Sequence, residues 1–483
     1  MDPPGIDDDT ARALGRGWTT DEPWRLLTRL TELPDRLGGH PGERRGAELV
    51  AESLADAGVR DIEKRTFEMA RWSRGGAELA VSVPERGVER AVETVALPYS
   101  PPVDLQAPLV DVGYGTPGAL DDADVSGAVA LTRTGSPPEF DRPYHRAEKV
   151  GHAAAAGVDA FVFVNHVPGQ LPPTGSLRFG REAAIPGLGV SRETGAWLRE
   201  YADADTGARA RVRVDADTTP GTSRNVVGTL GPDTDEAVLV LAHVDSHDVG
   251  EGALDNGAGV ATVAGMAAVL AGMDLDRRVH VAAVGAEELG LLGSHALARE
   301  TDPDDVHAVV NVDGAGRYRD LAALVHASDA LADLVEAVAD DLGHPVEVRE
   351  RPHPYSDHWP FLQDGVPSLQ LHSRNPDADG PWDRGWAHTR ADTREKSTSG
   401  PSGLTRSSAP SSSGRSRPPT SRGSAPTASA SDSKRPAPTK GCAPPTSGPT
   451  TGSDSSSARR GARYSRVGPR ESRGLESVTR RSR

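Results

Sequence analysis

The chain has 483 residues, a formal net charge of −16, and only 4% aromatic residues, a length that exceeds one typical core and points to two or three units. The charge is divided: residues 397–483 carry 16 basic and 4 acidic side chains, which leaves a net −28 on residues 1–396. A body so acidic repels phosphate, which argues against nucleic acid as a partner.

Five of the 54 basic residues are Lys. This acidic, Arg-over-Lys body resembles proteins of salt-loving microorganisms, in which high ionic strength screens carboxylate repulsion. The single cysteine, Cys442, lies in the basic tail, so the body has neither a disulfide framework nor a thiolate metal site. Any metal there must be held by His, Asp and Glu. The first residues lack a basic stretch followed by an apolar one, and no uninterrupted apolar run reaches about 18 residues. The expectation is a cytoplasmic chain without a membrane span.

In chain order, residues 1–20 are rich in Asp, Gly and Pro and are expected to fray. Trp24, Leu26, Leu27, Leu30 and Leu33 predict an amphipathic helix. Ala47, Leu49, Val50, Leu54 and Ala57 predict a second, with Gly58 as its stop. Pro-rich text at 97–103 opens a different module, with strands at 125–131, 157–165 and 185–191 and a helix through 149–156. After Thr218-Thr219-Pro220 the main sheet takes over, with candidate strands at 225–227, 237–242, 279–284, 308–312 and 368–371. Helices are expected after Asp255, after Glu288 and over 329–342. This alternation predicts an α/β fold, three-layered and doubly wound around a mainly parallel sheet. From Ser397 the chain is rich in Ser, Pro, Thr and Arg with almost no apolar pattern, a composition that cannot bury a core.

The chemistry concentrates at strand ends. Residues 238–259 read VLVLAHVDSHDVGEGALDNGAG: an apolar strand running into His243-Val244-Asp245, then Asp255-Asn256-Gly257 before a buried helix. The pattern recurs with Glu287-Glu288 after the strand at 279–284, with Asp313 after Val309–Val312, with Ser356-Asp357-His358, and with His388-Thr389. Each has a bland explanation, since Asp-Asn-Gly is a turn signal and paired glutamates favour a helix N-terminus. Together they converge on the edge outside the carboxyl ends of the strands, where open α/β sheets place their sites. Imidazoles and carboxylates without thiols suit zinc.

The order His-x-Asp, Asp-Asn, Glu-Glu, Asn-x-Asp, Ser-Asp-His and a late His-Thr resembles the di-zinc aminopeptidase family, which includes bacterial leucyl aminopeptidases, glutamate carboxypeptidase and the transferrin receptor. The pieces within 101–215 resemble the protease-associated domain, a small β-rich insert beside the active site in several peptidase families. The resemblance implies a zinc exopeptidase fold, with its N-terminal part at 21–100, the insert at 101–215, the catalytic part at 216–396 and a disordered tail at 397–483. It implies two Zn ions: His243 and Asp313 on one, Glu288 and His388 on the other, and Asp255 bridging both. Glu287 would be the general base, and Asp245 would orient the His243 imidazole.

One position departs from the pattern. Ala387 stands where many relatives carry an aromatic residue before the last His, which leaves the oxyanion-steadying role unassigned; Tyr355 is a candidate substitute or a packing aromatic. The implied function is peptide hydrolysis at the free amino end. A carboxypeptidase or dipeptidase of the glutamate carboxypeptidase type would use the same ligands, with Arg317 and Arg319 as carboxylate binders or as salt-bridge partners. A noncatalytic receptor-like module is disfavoured because all five ligands and the base are present, and a zinc cyclase acting on N-terminal glutamine would use a reduced set. Peptides are the expected partners, a homodimer is a further expectation, and neither nucleic acid nor membrane is expected. After Lys396 relatives continue into a helix, whereas the Ser/Pro/Arg/Thr vocabulary here is also what out-of-frame reading of a GC-rich gene produces.

Overall fold

The computed structural model describes residues 8–202, 207–376 and 385–397. A helix, α1 (Asp8–Thr19), corrects the expectation of fraying over 8–19, while residues 1–7 of that segment lie outside the described residues: Ala13 is buried, and Gly17 approaches Val269 so closely that a Cβ would overlap its methyl group. Its poor composition is offset by Asp8 and Asp9 in the first turn and Arg16 in the last, as the helix dipole favours. The two predicted amphipathic helices follow as α2 (Glu22–Thr31) and α3 (Pro41–Asp56), burying Leu26, Leu27 and Leu30, and Ala47, Leu49, Val50 and Leu54. Gly58, at φ +89, ends the second in a conformation that favours glycine.

A strand that sequence patterning did not suggest comes next, β1 (Arg60–Val83). The inserted module then runs through β2 (Val88–Val92), β3 (Val95–Ala96), β4 (Val103–Asp111), α4 (Pro117–Asp121), β5 (Val129–Arg133), α5 (Arg146–Ala155), β6 (Ala160–Val164), β7 (Gly187–Val190) and α6 (Arg192–Tyr201). It closes with β8 (Arg209–Leu230), which pairs antiparallel with β1 along nearly its whole length. β4, β5, β6 and β7 are parallel neighbours in that order, and β6 and β7 are buried throughout.

The β1–β8 ribbon joins the catalytic and inserted strands into one continuous sheet. Arg60 to Arg74 pair with Thr229 to Ala216 beside the catalytic strands, and after an irregularity Ala77 to Ser82 pair with Val214 to Arg209 beside the insert. At that break Gly75 lies so close to the Asp215 carbonyl that no Cβ would fit. The β-rich module therefore begins near Ala77. The Pro-rich text at 97–103 marks a turn inside it, flanked by β3, which pairs with β7, and β4, which pairs with β8.

The catalytic part supplies β9 (Ala237–His243), α7 (Ala258–Leu270), β10 (Arg278–Val284), α8 (Leu292–Glu300), β11 (Val306–Val312), β12 (Leu321–Leu324), α9 (Asp329–Leu342), β13 (Val346–Arg349), α10 (Trp359–Gln363) and β14 (Ser368–Ser373). Its strand order is β13-β12-β14-β11-β9-β10-β8. The central four are mutually parallel, while β8 and β12 join antiparallel at the flanks. One apolar cluster packs this sheet against α2, α3 and α7, and another packs the opposite face against α8 and α10. That is the three-layer arrangement expected. The stretch Ala253–Leu270 is apolar enough by composition to cross a membrane, yet 61% of it is buried in the fold, against α1, α2 and α3. The basic tail lies outside the described residues, apart from Ser397.

Candidate metal centre

Because β9, β10 and β11 run parallel, their carboxyl ends share one edge and deliver His243, the Glu287-Glu288 turn and Asp313 to the same place. Asp245 fixes this turn: its two carboxylate oxygens accept from the backbone N–H groups of Glu287 at 3.0 Å and Glu288 at 3.1 Å. Its hold on His243 is mainly through the main chain. His243 Nδ1 lies 3.1 Å from the Asp245 carbonyl oxygen and 3.5 Å from the carboxylate. With Nδ1 engaged there, Nε2 is the nitrogen turned toward Asp255 Oδ1 at 3.3 Å and Asp313 Oδ1 at 3.6 Å.

Asp255 faces both halves of the site. Its Oδ1 approaches His243, while its Oδ2 lies 3.2 Å from His388 Nε2, which is also 3.2 Å from Glu288 Oε2. Asp255 is joined to Asn256 by a cis peptide bond. Buried Asn256 donates to the Val312 carbonyl at 2.8 Å and accepts from Gly259 N–H, tying the Asp255 turn to the end of β11. Asp392 accepts from the N–H groups of Leu254 and Asp255, and the buried Arg36 donates to the Gly252 carbonyl at 2.8 Å. On the other side Asn311 donates to Ser356 Oγ, which donates to Asp313 Oδ2, each at 2.6 Å, so that Oδ1 is the Asp313 oxygen turned toward His243.

Burial would lower the His243 pKa, but Glu287, Asp245, Asp255 and Asp313 raise it well above the usual range. Glu287 is held well above the carboxylate range, first by burial and then by Asp357, Glu288 and Asp313, against the pull of His243. Glu288 goes the other way: burial would raise it, yet His247 and His388 hold it well below. Burial, foremost, pushes Asp357 up to about 7.

The donor chemistry fits divalent cations. Among the described residues, His243, Glu287 and Asp313 form one group, and His247, Glu288 and His388 another, each with donor atoms within 4.8 Å of one another. His243 Nε2 and Glu288 Oε1 are buried without a hydrogen-bond partner. Such orphaned donors in a carboxylate-rich pocket are what metal ions satisfy.

Several contributors were not foreseen from sequence. His247 is 5% exposed and lies 2.8 Å from Glu288 Oε2. The insert reaches the centre through Thr174, whose N–H donates to the His388 carbonyl at 2.9 Å and whose carbonyl is 3.3 Å from His388 Nδ1. His388 itself has φ +59, a left-handed conformation that costs a non-glycine residue about 1–3 kcal/mol and so depends on such support. A bidentate, nearly buried pair, Arg74–Asp248, ties β1 to the loop between His247 and Asp255. Tyr355 turns toward the insert, stacking on His145 at 4.4 Å with its hydroxyl 3.4 Å from Glu148. Arg317 lies 4.8 Å from the ring centroids of both Tyr318 and Trp386, and the Arg319 carbonyl is bonded to His344.

Residues 225–405 match the model of peptidase family M28, and residues 105–198 match that of the PA domain. The chain is 28% identical over 388 residues to aminopeptidase YwaD of Bacillus subtilis (strain 168), covering 77% of this chain and 79% of that one. It is 30% identical over 281 residues to a probable leucine aminopeptidase 2 of Arthroderma benhamiae, 57% of this chain, and spans about half (53%) of that relative's length. Among solved structures, BSAP, a zinc aminopeptidase from Bacillus subtilis, superposes with a TM-score of 0.63 at 26% identity, covering 81% of this chain and 93% of that one. The chain thus joins a peptidase family M28 region, residues 225–405, to a PA domain, residues 105–198, and is homologous to the Bacillus aminopeptidases.

Proposed function

We propose that this M28 metallopeptidase is an aminopeptidase working with two zinc ions. The observation that carries the reading is the placement of Asp255, one oxygen toward His243 and the other toward His388, as a carboxylate bridging two ions requires. In this reading His243 and Asp313 hold one ion, Glu288 and His388 hold the other, and Asp245 fixes both the His243 ring and the glutamate turn. Two zinc ions, when bound, would polarise the scissile carbonyl and bring the pKa of water toward about 7.

Glu287 lies within 4.8 Å of the His243 and Asp313 donor atoms, and its role is to accept a proton from the attacking water and return it to the leaving amine. The likeness to YwaD and BSAP, both named aminopeptidases, supports action at a free peptide amino end over a terminal carboxylate.

The experiment is a panel of aminoacyl and N-blocked peptides assayed before and after chelation. The expected result is cleavage of free-amino substrates only, abolished by chelation and restored by zinc or cobalt. Full activity in a verified metal-free sample would refute the metal mechanism, and cleavage of blocked peptides from the carboxyl end would refute the amino-end assignment.

A further inference from the structure

His247 is a histidine that the five-ligand scheme does not use. It is buried, it follows His243 by four residues in the loop that leads to Asp255, and neither ring nitrogen has a hydrogen-bond partner. Its Nε2 lies 2.8 Å from Glu288 Oε2, but without hydrogen-bond geometry. The same oxygen lies 3.2 Å from His388 Nε2, and the two imidazoles meet edge to face with centroids 4.4 Å apart. Two imidazole nitrogens thus converge on one carboxylate oxygen, with Asp255 Oδ2 also 3.2 Å from His388. Beside them is a cavity of about 10 Å³, walled by these side chains and by Gly250 and Gly252, about the room that one water-sized species occupies.

We infer that His247 is a third protein ligand of the zinc ion assigned to Glu288 and His388, completing a four-donor set with Asp255. The inference rests on the two-zinc reading and makes the two ions unequal. Four protein donors, His247, His388, Glu288 and Asp255, would hold that ion more fully than three would hold the other. His243, Asp313 and Asp255 supply three donors and leave a position open for water, as catalytic sites do. The loop is fixed for this purpose: Arg74 grips Asp248, the next residue, with both carboxylate oxygens within 2.8 Å. Ligation would take up the lone pair of Nε2, which is buried without a hydrogen bond of normal geometry.

The experiment uses the full chain loaded with zinc. X-ray absorption at the zinc edge counts imidazoles per metal: with His247 ligated, three rings over two ions average about 1.5, and without it about 1.0. In parallel, zinc affinity is measured by competition with a chelator for the wild type, His247→Phe and His247→Gln, with circular dichroism to verify folding. The expected result is a count near 1.5 in the wild type and, in both variants, one of the two ions bound at least about 100-fold more weakly while the other is unchanged. A wild type with two zinc ions, a count near 1.0 and variants of unaltered affinity would overturn this inference and leave the two-zinc reading standing. A wild type that binds no zinc would overturn both. Should neither variant fold, the wild-type count alone decides.

Discussion

Breaking the Arg74–Asp248 pair should loosen the loop that carries His247 and leads to Asp255. Both partners are nearly buried, at 12% and 17% exposure, and are joined by two bonds of 2.6 and 2.8 Å. Removing one partner of a buried pair costs about 3–5 kcal/mol, because the other charge is left uncompensated. The lower end applies here, since both groups keep some solvent access and Arg74 also packs over the Trp72 ring at 5.0 Å. Arg74→Met and Asp248→Leu should therefore each destabilise by about 3 kcal/mol, and the double variant by much less than their sum, a coupling of about 2 kcal/mol. Urea unfolding of the four proteins measures it. Burial would raise the Asp248 pKa, but the Arg74 hydrogen bonds and charge outweigh it, so the folded value is lowered. The pair's stabilisation is thus fully present above the ordinary carboxylate pKa of about 4 and is lost only as pH falls through the lowered value. Additive single effects, or a coupling that fades between about pH 5 and 8, would refute the reasoning.

The adjacent glutamates should separate by readout. Glu287→Gln is expected to keep nearly full metal content and lose several orders of magnitude in rate, whereas Glu288→Gln is expected to lower metal content; the reverse pattern in metal analysis would exchange the two roles. For the tail, translating the DNA after the Lys396 codon in the other two frames is expected to reveal an amphipathic, Ala- and Asp-rich helix. Its absence from both frames would mark the Ser/Pro/Arg segment as the genuine sequence.

The parallel core was legible because strands buried on both faces, such as Ala237–His243 and Arg278–Val284, read as unbroken apolar runs, and each ends abruptly on a side chain that packing does not call for. β1 was not legible. Apart from the short hairpin with β2 at its end, its partner strand, β8, is more than a hundred residues away, and its half-exposed text, RDIEKRTFEMARWSRGGAELAVSV, shows no alternation strong enough to stand out. α1 was hidden by glycines and aspartates, and its reason to be helical is a groove on α7 far along the chain. His247 carried a signal of a kind, a second histidine four residues after the first, but in a loop such spacing does not set direction. The Thr174 contact left no trace at all, since a main-chain carbonyl 214 residues from His388 has no signature in side-chain chemistry.

The ribbon also decides how separable the two modules are. Arg74 and Ala216, where the chain departs from the catalytic sheet and where it comes back, stand opposite each other in the ribbon, so everything between them hangs from a closed stem and adds little loop-closure entropy to the folding of the rest. By topology alone the PA module is detachable, since a tight turn across the stem would heal the chain. Chemistry forbids the exchange, because the Thr174 peptide that steadies His388 leaves with the module. A lineage could therefore trade this module only for one that returns a carbonyl to the same point in space, and the buried loop around Thr174 is under the same constraint as the centre it touches.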